Sequence, residues 1–554
     1  MGEPMSATAS TQATTGVRAT GTSSIDALLS GTKWGGAAGT GTSLTFSFPY
    51  FGGTAAAFAP GNKESAGIAA GFSAVQAAAA RATLQAWADV ANISFTEISE
   101  TGNGSTVGDL RFAVSNASFA AGEWGHANYP SQNPAGGDVW LNSASQNVQQ
   151  TAASDWAAGS VNSVALMHEV GHALGLKHPG NYGGGTPPFL AAGLDSVLYT
   201  VMSYNAIANN MFRRVNLEGS TPQFSYSYPS AATPMVLDVQ AIQALYGANT
   251  ATRAGDDSYS FDTRTPFFKT LWDGGGNDTI SVANFSLGCT IDLTPGSYSD
   301  IRMLSDPMPA RYSSSEPTYI GKQNLGIAFG AVIENAVGGS GDDQLTGNSV
   351  ANRLVGNQGR DRLTGAGGDD ALDGGAGLDT ATFSGAFSGY TVAAGGAGAV
   401  VTDRQAGRDG RDSLAGVERL QFADVRVAVD VDGNGGQAFR LYQAAFNRTP
   451  DAGGLGFQMN ALDQGEALAQ VAANFIASPE FTATYGALDD TKFVTQLYAN
   501  VLHRAPDAGG LGFHTGNLAS GANTRANVLV GFSESPENQA ALIGTIQNGM
   551  VYTV

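Results

Sequence analysis

Apolar and polar residues follow regular patterns over most of the first 250 residues. Alternation is typical of a half-buried strand, and apolar residues at helical spacing are typical of an amphipathic helix. The pattern predicts three strands, at residues 44–50, 109–114 and 137–142. It predicts three helices, at residues 72–91, 162–174 and 235–246. Strands and helices are thus mixed in this part of the chain.

From about residue 255 the pattern changes to short apolar runs separated by Gly, Asp and Asn. Between residues 338 and 379 polar positions fall on a nine-residue grid, namely Asp343, Asn352, Asp361, Asp370 and Asp379. Leucines follow two residues later, at Leu345, Leu354, Leu363 and Leu372. This period predicts stacked turns of a parallel β-roll with Ca²⁺ held between successive turns. A single Gly-Asp turn would be only a plain turn.

After about residue 437 the pattern becomes helical and repeats itself. LYQAAFNRTPDAGGLGF (441–457) recurs as LYANVLHRAPDAGGLGF (497–513), 56 positions later. Each copy continues into a Ser-Pro-Glu turn, at 478–480 and 535–537. The repeat predicts two copies of one helical unit. It has two interpretations, a small bundle that caps the open end of the β-roll, or a module that attaches to a cell surface, a glycan or a partner protein.

Composition narrows the class of protein. A chain of 554 residues predicts two to four domains. Its 75 glycines and charged fraction of only 13% favour turn-rich β structure over long helices. The net charge of −20 excludes the basic face that a nucleic-acid binder needs. The acidic excess indicates either solubility or the binding of a hard cation, and the nine-residue grid favours the second for part of it.

The ends and the cysteine content bear on cellular location. The single cysteine, Cys289, allows no intrachain disulfide and is interpreted as a small buried apolar residue. The first 24 residues are rich in Ala, Thr and Ser, lack a signal-peptide core, and are predicted to be a flexible leader or propeptide. No apolar run is long enough to span a membrane. The protein is expected to be cytosolic or to be exported without an N-terminal signal.

The stretch MHEVGHALGLKHPG contains the spacing of a catalytic zinc site. His168 and His172 are one turn apart on the second predicted helix, so both imidazoles can reach one metal ion. Gly175 permits a sharp turn that brings in His178 as the third ligand. Three protein nitrogens leave a fourth position open for water. Glu169, next to the first ligand, can accept the proton of that water.

A chance arrangement is the alternative for this motif. A lone H-E-x-x-H occurs by chance, but here the Gly and the third His also stand at their places. Three of the six histidines of the chain fall within these eleven residues. The other three, His126, His503 and His514, have no such setting and are interpreted as ordinary.

The extended motif resembles that of the metzincin metalloproteases, and Pro179 after the third histidine resembles the serralysin branch. Metzincins have a Met-containing turn below the zinc, and VMSYN is similar to it. The resemblance implies that Met202 forms the apolar floor. It also implies that Tyr204 binds zinc in the resting enzyme and then donates a hydrogen bond to the oxyanion. Without the resemblance, Met202 would be interpreted as a core methionine and Tyr204 as an ordinary aromatic residue.

The resemblance to serralysins covers roughly residues 24–430. It rests on the segments SSIDALLSGTKWG, LTFSFPY, LQAWADVANISFTE, GGDVWLN and DVQAIQALYGAN. GGDVWLN is expected near the active-site cleft, where an extended substrate could pair with an edge strand. Serralysins usually end soon after the β-roll, whereas this chain continues into the helical repeats.

Calcium ligands are predicted in two places. In the repeat they are the residues Gly338, Gly339, Gly341, Asp343, Asp361, Asp370 and Asp379. WDGGGNDTI resembles a further serralysin calcium site, which implies the residues Arg253, Gly255, Asp273, Gly275 and Asp278. The β-roll is expected to be disordered in low calcium, because its row of carboxylates repels itself without the cation. An unfolded chain of this kind could cross an export channel and fold outside.

These observations predict a multidomain fold with an α+β metzincin catalytic domain, a parallel β-roll/β-sandwich calcium-binding domain and a small all-α C-terminal domain. The predicted boundaries are a leader or propeptide at 1–24, the zinc metalloprotease catalytic domain at 25–250, the calcium-binding β-roll domain at 251–436 and the helical repeat domain at 437–554.

The expected function is that of a secreted, extracellular zinc endopeptidase with one catalytic Zn²⁺ and several structural Ca²⁺. The expected partners are protein or peptide substrates, a type I (ABC) export machinery and, through the helical repeats, a cell-surface partner. Two alternatives remain, a calcium-dependent surface or adhesion protein with a vestigial protease fold, and a protease that acts mainly on its own leader or on one surface protein. The intact histidines and Glu169 argue against the first alternative.

Overall fold

The computed structural model describes residues 10–53, 56–218, 221–309, 317–395 and 398–553. Its chain forms two compact units. The first consists of residues 1–280 and 290–333, and the second of residues 281–289 and 334–554.

The first unit mixes helices and strands. Its α-helices are α1 (Ser23–Asp26), α2 (Ala74–Val90), α3 (Val161–Leu174) and α4 (Val236–Tyr246). The strands that begin in it are β1 (Thr14–Gly16), β2 (Thr32–Trp34), β3 (Thr42–Ser47), β4 (Ile68–Ala70), β5 (Ile93–Glu97), β6 (Leu110–Ser115), β7 (Gly125–Ala127), β8 (Asp138–Asn142), β9 (Phe212–Glu218), β10 (Thr221–Ser227), β11 (Ser258–Ser260), β12 (Lys269–Leu271), β13 (Thr279–Ser281), β14 (Thr290–Asp292), β15 (Tyr298–Ser299) and β16 (Leu325–Ile327).

The main sheet of the first unit has the strand order β5-β3-β6-β8-β7, with β4 also paired to β6. β3, β5, β6 and β8 run parallel, whereas β7 is antiparallel to β8. Every residue of β6 and β8 is buried, as expected for central strands covered on both faces. The strand of GGDVWLN is therefore an inner strand, and β7 is the edge strand beside it.

The two longest helices of this unit, α2 and α3, pack on each other. α2 begins at a capping box, in which the Ser73 Oγ accepts from the Gln76 N–H and the Gln76 Oε1 accepts from the Ser73 N–H. α3 begins at Ser160, whose Oγ accepts from the Ser163 N–H, and ends at Gly175 in the left-handed conformation. The three strands and three helices predicted from periodicity in this region are confirmed to within a few residues.

The part of the predicted leader that the structure describes, residues 10–24, makes contacts with the rest of the first unit. β1 pairs antiparallel with β2, in register from Thr14 opposite Trp34. The Ser10 hydroxyl also donates to the Asp109 carboxylate (2.6 Å). The prediction of a flexible segment missed this because Thr-Thr-Gly carries no apolar pattern, while its backbone can still pair with a strand.

The second unit is β-rich and then helical. Its α-helices are α5 (Asn434–Phe446), α6 (Ala452–Asp463), α7 (Leu468–Ala477), α8 (Pro479–Tyr485), α9 (Asp490–Leu502), α10 (Ala508–Ala519), α11 (Arg525–Ser533) and α12 (Pro536–Ile546). Its strands are β17 (Asn335–Val337), β18 (Gln344–Thr346), β19 (Arg353–Val355), β20 (Gln358–Gly359), β21 (Arg362–Thr364), β22 (Ala371–Asp373), β23 (Ala376–Gly377), β24 (Thr380–Thr382), β25 (Tyr390–Gly395), β26 (Gly398–Asp403), β27 (Arg411–Ala415), β28 (Arg419–Gln421), β29 (Arg426–Ala428) and β30 (Met550–Tyr552).

The nine-residue grid alternates between two sheets of parallel strands. β17, β19, β22 and β27 neighbour one another in one sheet, and β18, β21, β24 and β28 in the other. Leu345 therefore faces Leu363, and Leu354 faces Leu372, each partner lying two repeats along the chain. All four leucines are at most 1% exposed. The apolar position of the repeat thus forms the core between the sheets.

Eight helices follow, and they share one core that includes Phe439, Phe446, Phe475, Phe493 and Phe532. This bears out the helical pattern of the repeats. The last strand, β30, departs from the all-α prediction, because it pairs antiparallel with β29 and extends that sheet. Three residues, MVY, are too short to show a strand period in the sequence. Among the described residues, no helix is long and apolar enough to cross a membrane.

Candidate metal centre

The three predicted histidine ligands meet at one point. The His178 Nε2 lies 3.0 Å from the Nε2 of His168 and 3.0 Å from the Nε2 of His172. α3 presents the first two on one face, and the left-handed turn at Gly175 (φ 108°) reverses the chain so that His178 comes back to them. A Cβ on Gly175 would lie 2.4 Å from the Thr32 carbonyl oxygen, so the turn also requires the absence of a side chain.

Backbone carbonyl oxygens orient two of the three imidazole rings through their Nδ1 atoms. The Nδ1 of His168 lies 2.8 Å from the Val201 carbonyl oxygen, and the Nδ1 of His172 lies 2.8 Å from the Leu176 carbonyl oxygen. A carbonyl can only accept, so each Nδ1 carries the proton and each Nε2 offers a lone pair to the common point. Burial lowers the pKa of His168 and of His178 to about 4, which keeps both rings neutral.

This donor set fits a zinc ion. Neutral Nε2 lone pairs 3.0 Å apart repel one another unless a cation lies between them. Zn–N bonds of about 2.0–2.1 Å place the ligands of a tetrahedral ion about 3.3 Å apart, close to the spacing here. Three imidazole nitrogens, two of them on rings oriented by a carbonyl oxygen, are also the ligand type that zinc prefers.

Glu169 and Met202 lie where the sequence predicts them. Glu169 is 7% exposed, and its Oε2 has no hydrogen-bond partner among the described residues. Burial, reinforced by the nearby Glu123 carboxylate, raises the pKa of Glu169 to about 8. Met202 is fully buried, and its Sδ would lie 2.6 Å from a Cβ placed on Gly171 of α3. Met202 therefore packs directly under the helix that carries the first two histidines.

Tyr204 lies beside the histidines and is 61% exposed. Its ring centroid is 4.4 Å from that of His178 and 5.5 Å from that of His168. The Tyr182 ring stacks on that of Tyr204, with the ring centroids 4.7 Å apart. The Tyr204 phenol therefore lies next to the point where the three histidine Nε2 atoms meet, and it is also exposed to solvent.

Sequence reasoning missed the residues that hold this tyrosine. The Tyr182 hydroxyl donates to the Asp195 carboxylate, and the Ser203 Oγ donates to the same carboxylate at 2.6 Å. The Tyr204 N–H in turn donates to the Tyr182 hydroxyl oxygen (3.3 Å). Tyr182 and Asp195 lie between the third histidine and the Met-containing turn, and Ser203 lies in that turn. Only these positions in the sequence could have indicated them.

Asp238 was also missed, although it lies in the quoted segment DVQAIQALYGAN. Its side chain is fully buried at the start of α4. It accepts from the Thr200 hydroxyl (2.6 Å), the Val201 N–H (2.8 Å) and the Met235 N–H (2.8 Å). Val201 is the residue whose carbonyl orients His168, so Asp238 fixes the turn behind the metal point.

A cleft of about 940 Å³ opens over the histidines. Its lining includes the edge strand β7 together with Glu123, Tyr129, Tyr204 and Tyr228. An edge strand offers backbone N–H and C=O groups to an extended peptide. The cleft can therefore hold a polypeptide with a peptide bond above the metal point.

The predicted calcium residues of the first unit lie together. Oxygens of Asp273 and Asp278 lie within 4.8 Å of each other and of one from Asp257, which the sequence reasoning missed. The Gly275 N–H donates to the Asp273 carboxylate (2.9 Å). The loop that carries Arg253 and Gly255 packs on this turn, because a Cβ on Gly276 would lie 2.3 Å from the Gly255 carbonyl oxygen.

In the second unit the predicted carboxylates form a ladder. The N–H of Asp343 donates to Asp361 (2.7 Å), and the N–H of Asp361 donates to Asp379 (2.8 Å). The N–H of Asp370 donates to Asp412 (3.0 Å), and that of Asp379 to Glu418 (2.8 Å). The nine-residue period did not reveal Asp412 and Glu418, because β25 and β26 are inserted before them.

One oxygen of each central carboxylate stays without a partner. The Oδ2 atoms of Asp361, Asp370 and Asp379 are buried and have no hydrogen-bond partner among the described residues. Burial raises the pKa of Asp361 to about 7 and that of Asp370 to about 6. Gly338, Gly339 and Gly341 lie in the turn before Asp343, whose Oδ2 accepts from the Gly339 N–H (2.6 Å). Buried oxygens of this kind suit a hard cation.

Comparison with protein families agrees with this geometry. Residues 70–183 match the matrixin family model, and residues 236–310 and 315–467 match the model for the peptidase M10 serralysin C terminus. Residues 472–542 match a domain of unknown function, DUF4214.

The curated proteins that are similar to this chain include several serralysins. The chain is 36% identical over 288 residues to serralysin A of Dickeya chrysanthemi, covering 50% of this chain and 53% of the relative. It is 36% identical over 296 residues to metalloprotease AprA of Pseudomonas entomophila, with 50% and 54% covered. It is 32% identical over 330 residues to serralysin of Proteus mirabilis, with 55% and 59% covered. The chain thus spans about half the length of the curated relatives it matches.

Proposed function

This chain is a serralysin-like metzincin metalloprotease, with a matrixin-type domain before a serralysin C-terminal domain, and from this we propose that it hydrolyses internal peptide bonds of proteins. The observation that supports the proposal most directly is the convergence of three Nε2 atoms next to a buried carboxylate. The cleft above them, with its edge strand, suits an extended polypeptide rather than a small molecule.

Each residue of the centre has a proposed role. His168, His172 and His178 hold the zinc, which when bound supplies Lewis acidity for the attack of water on a carbonyl. Glu169 takes the proton from the attacking water and delivers it to the leaving amine, which returns the carboxylate to its starting state. The Tyr204 phenol donates a hydrogen bond to the oxygen that gains charge. Backbone groups of β7 hold the substrate strand.

We propose that the protein is extracellular. It would be exported through a type I (ABC) exporter, as its resemblance to serralysins implies. We keep the four segments 1–24, 25–250, 251–436 and 437–554 as the proposed organisation, with the first as a propeptide. The packing of residues 14–16 on β2 means that removal of this segment would have to break a backbone pairing.

The decisive test of the enzymatic proposal is a metal-dependence assay. The purified chain is expected to contain one zinc and to cleave casein, to lose that cleavage in a zinc-selective chelator, and to regain it when zinc is added back. Calcium is kept constant throughout, so that loss of fold does not imitate loss of zinc. Protein that carries one zinc per chain and yet cleaves neither casein nor a mixture of unstructured peptides would refute the proposal.

A second expected result concerns calcium. We propose that the strands β17 to β28 form a β-roll that binds Ca²⁺ through the carboxylate ladder, and that the roll is disordered without it. Far-UV circular dichroism should show a gain of β signal when calcium is titrated in. Magnesium should give no matching gain, because it needs near-ideal octahedral geometry and binds such sites poorly. Asp361→Asn should raise the calcium needed for the half-maximal change several-fold. A spectrum that does not change between excess chelator and millimolar calcium would contradict it.

A further inference from the structure

A second acidic residue, Glu123, stands in the cleft beside the metal centre. It lines the cleft and lies two positions before β7, the edge strand along the cleft wall. Burial raises the pKa of Glu169, and the Glu123 carboxylate reinforces that shift, so the two carboxylates lie within electrostatic reach of each other. The roles proposed above for the histidines, Glu169 and Tyr204 leave Glu123 without a function.

Hydrogen bonds hold the Glu123 carboxylate in place. Its Oε2 accepts from the Ala120 N–H (2.6 Å), which folds the side chain back over its own turn. The Glu123 carbonyl oxygen accepts from the side-chain amide of Asn142 (2.7 Å), which fastens this turn to β8. The side chain nevertheless stays 30% exposed. A cationic group that enters the cleft therefore meets a carboxylate that is already positioned, and binding costs little side-chain entropy.

The neighbours of Glu123 balance its charge only in part. The His126 imidazole lies between two carboxylates, with Nδ1 3.3 Å from the Glu123 Oε1 and Nε2 3.4 Å from the Glu64 Oε1. One imidazole carries at most one positive charge. These three side chains therefore keep a net negative charge in either protonation state of the ring.

The cleft has no basic side chain to oppose this charge. No lysine or arginine is among the described residues that line it. Lys177, beside the third histidine, is 7% exposed, and its ammonium donates to the Thr186 and Pro188 carbonyl oxygens (2.8 and 2.9 Å). The Lys177 ammonium thus holds the loop that follows the third histidine. A polypeptide in this cleft meets carboxylates without a lysine or an arginine among them.

We propose that Glu123 is a specificity-determining residue, which selects polypeptides that carry lysine or arginine within three residues of the scissile bond. The inference rests on the proposed function, because it concerns the substrate of the same cleft. A strand paired with β7 advances about 3.3 Å per residue, so only side chains close to the scissile bond reach the Glu123 carboxylate. Successive side chains point to opposite faces, so neighbouring positions should not share the preference. An acidic side chain at the preferred position is repelled by Glu123.

A positional peptide set tests this assignment on the full, zinc-loaded chain in calcium-containing buffer. The probes are quenched fluorescent peptides in which lysine, glutamine or glutamate replaces each of the three residues on either side of the cleaved bond. Mass spectrometry of the products locates that bond. At one position we expect kcat/KM for lysine to exceed that for glutamine by about fivefold or more, with glutamate below both. Raising NaCl from about 0.05 M to about 0.5 M should shrink the lysine preference, because salt screens charges.

The matched variants are Glu123→Gln and Glu64→Gln. Glutamine at 123 removes the charge and still accepts from the Ala120 N–H. It should reduce the preference for lysine over glutamine to less than about twofold. A ratio of two peptides on one enzyme does not change with the active fraction of the protein, so it reports recognition alone. Glu64→Gln makes the same chemical change on the other neighbour of His126, which is not among the described residues that line the cleft, and it should keep the parental ratio.

The outcomes separate this inference from the function on which it rests. A chain that cleaves none of the peptides would refute the proposed function and this inference with it. A chain that cleaves them with kcat/KM independent of charge at all of these positions would overturn the inference alone. The inference would also fall if Glu123→Gln kept the lysine preference, or if Glu64→Gln lost it to the same extent.

Discussion

Replacing Glu169 with glutamine is expected to lower kcat for casein or a quenched peptide by about 10²–10⁴, the usual contribution of a positioned general base. Glutamine has the size of the glutamate it replaces but cannot take a proton from water. Glu169 lies on α3 next to His168, with one carboxylate oxygen buried and unpartnered among the described residues, so a substitution changes the proton acceptor without removing a hydrogen bond made by that atom. KM should change little, because the backbone of β7 and the walls of the cleft hold the substrate.

The measurement needs two controls for its interpretation. Zinc content and thermal unfolding of Glu169→Gln should match the parent, which places the loss in the chemical step. Glu97→Gln makes the same chemical change on an exposed residue that pairs with Arg81 and does not line the cleft, and it should retain parental kcat. A Glu169→Gln protein that holds zinc and keeps more than a tenth of parental kcat would remove Glu169 from the mechanism.

The convergence of the three histidines was predictable because one helical period and one glycine turn determine their geometry. His168 and His172 need only the spacing of a helix, and Gly175 indicates where the chain must reverse. The core leucines of the nine-residue repeat were predictable for a similar reason. A period of nine along the chain becomes two rows of equivalent residues in space, with Leu345 and Leu363 in one sheet and Leu354 and Leu372 in the other.

Other parts of the site depend on contacts that no local pattern contains. The Asp238 carboxylate meets the Val201 N–H across 37 positions of sequence. Asp412 and Glu418 continue the carboxylate ladder only after the inserted hairpin of β25 and β26 has closed. Asp257 joins Asp273 and Asp278 through a loop whose sequence carries no acidic period. The role of each of these residues can be identified only from the residues that it contacts, and those contacts exist only in the folded chain.

The first copy of the helical repeat has contacts to the sheet that precedes it. The strand β30 pairs with β29, and Arg419 forms an ion pair with Asp463 of α6. These contacts support the interpretation in which the repeats cap the β-roll, and the attachment interpretation stays a prediction.

Replacing Asp238 with alanine is expected to lower the free energy of unfolding of the first unit by about 3 kcal/mol or more, because three buried donors lose their acceptor at about 1–3 kcal/mol each. These donors are the Thr200 hydroxyl and the Val201 and Met235 N–H groups. The same change should weaken zinc binding, since Val201 then no longer holds its carbonyl against His168. Urea unfolding and competition with a zinc-binding dye measure the two effects separately.

Asparagine at the same position tests the charge of Asp238 apart from its hydrogen bonds. The Val201 and Met235 N–H groups both donate to Oδ2 of Asp238, and the Thr200 hydroxyl donates to Oδ1. An asparagine whose amide oxygen takes the place of Oδ2 accepts from both N–H groups, and its amide nitrogen donates to the Thr200 hydroxyl oxygen. Asp238→Asn should therefore keep most of the stability that Asp238→Ala loses.

Asp262→Ala removes an exposed carboxylate that accepts from the nearby Arg264 N–H, and it should change stability by no more than about 0.5 kcal/mol. If asparagine were as damaging as alanine to stability and zinc affinity, the negative charge of Asp238 would matter, and its three hydrogen bonds would not be what holds the turn behind His168.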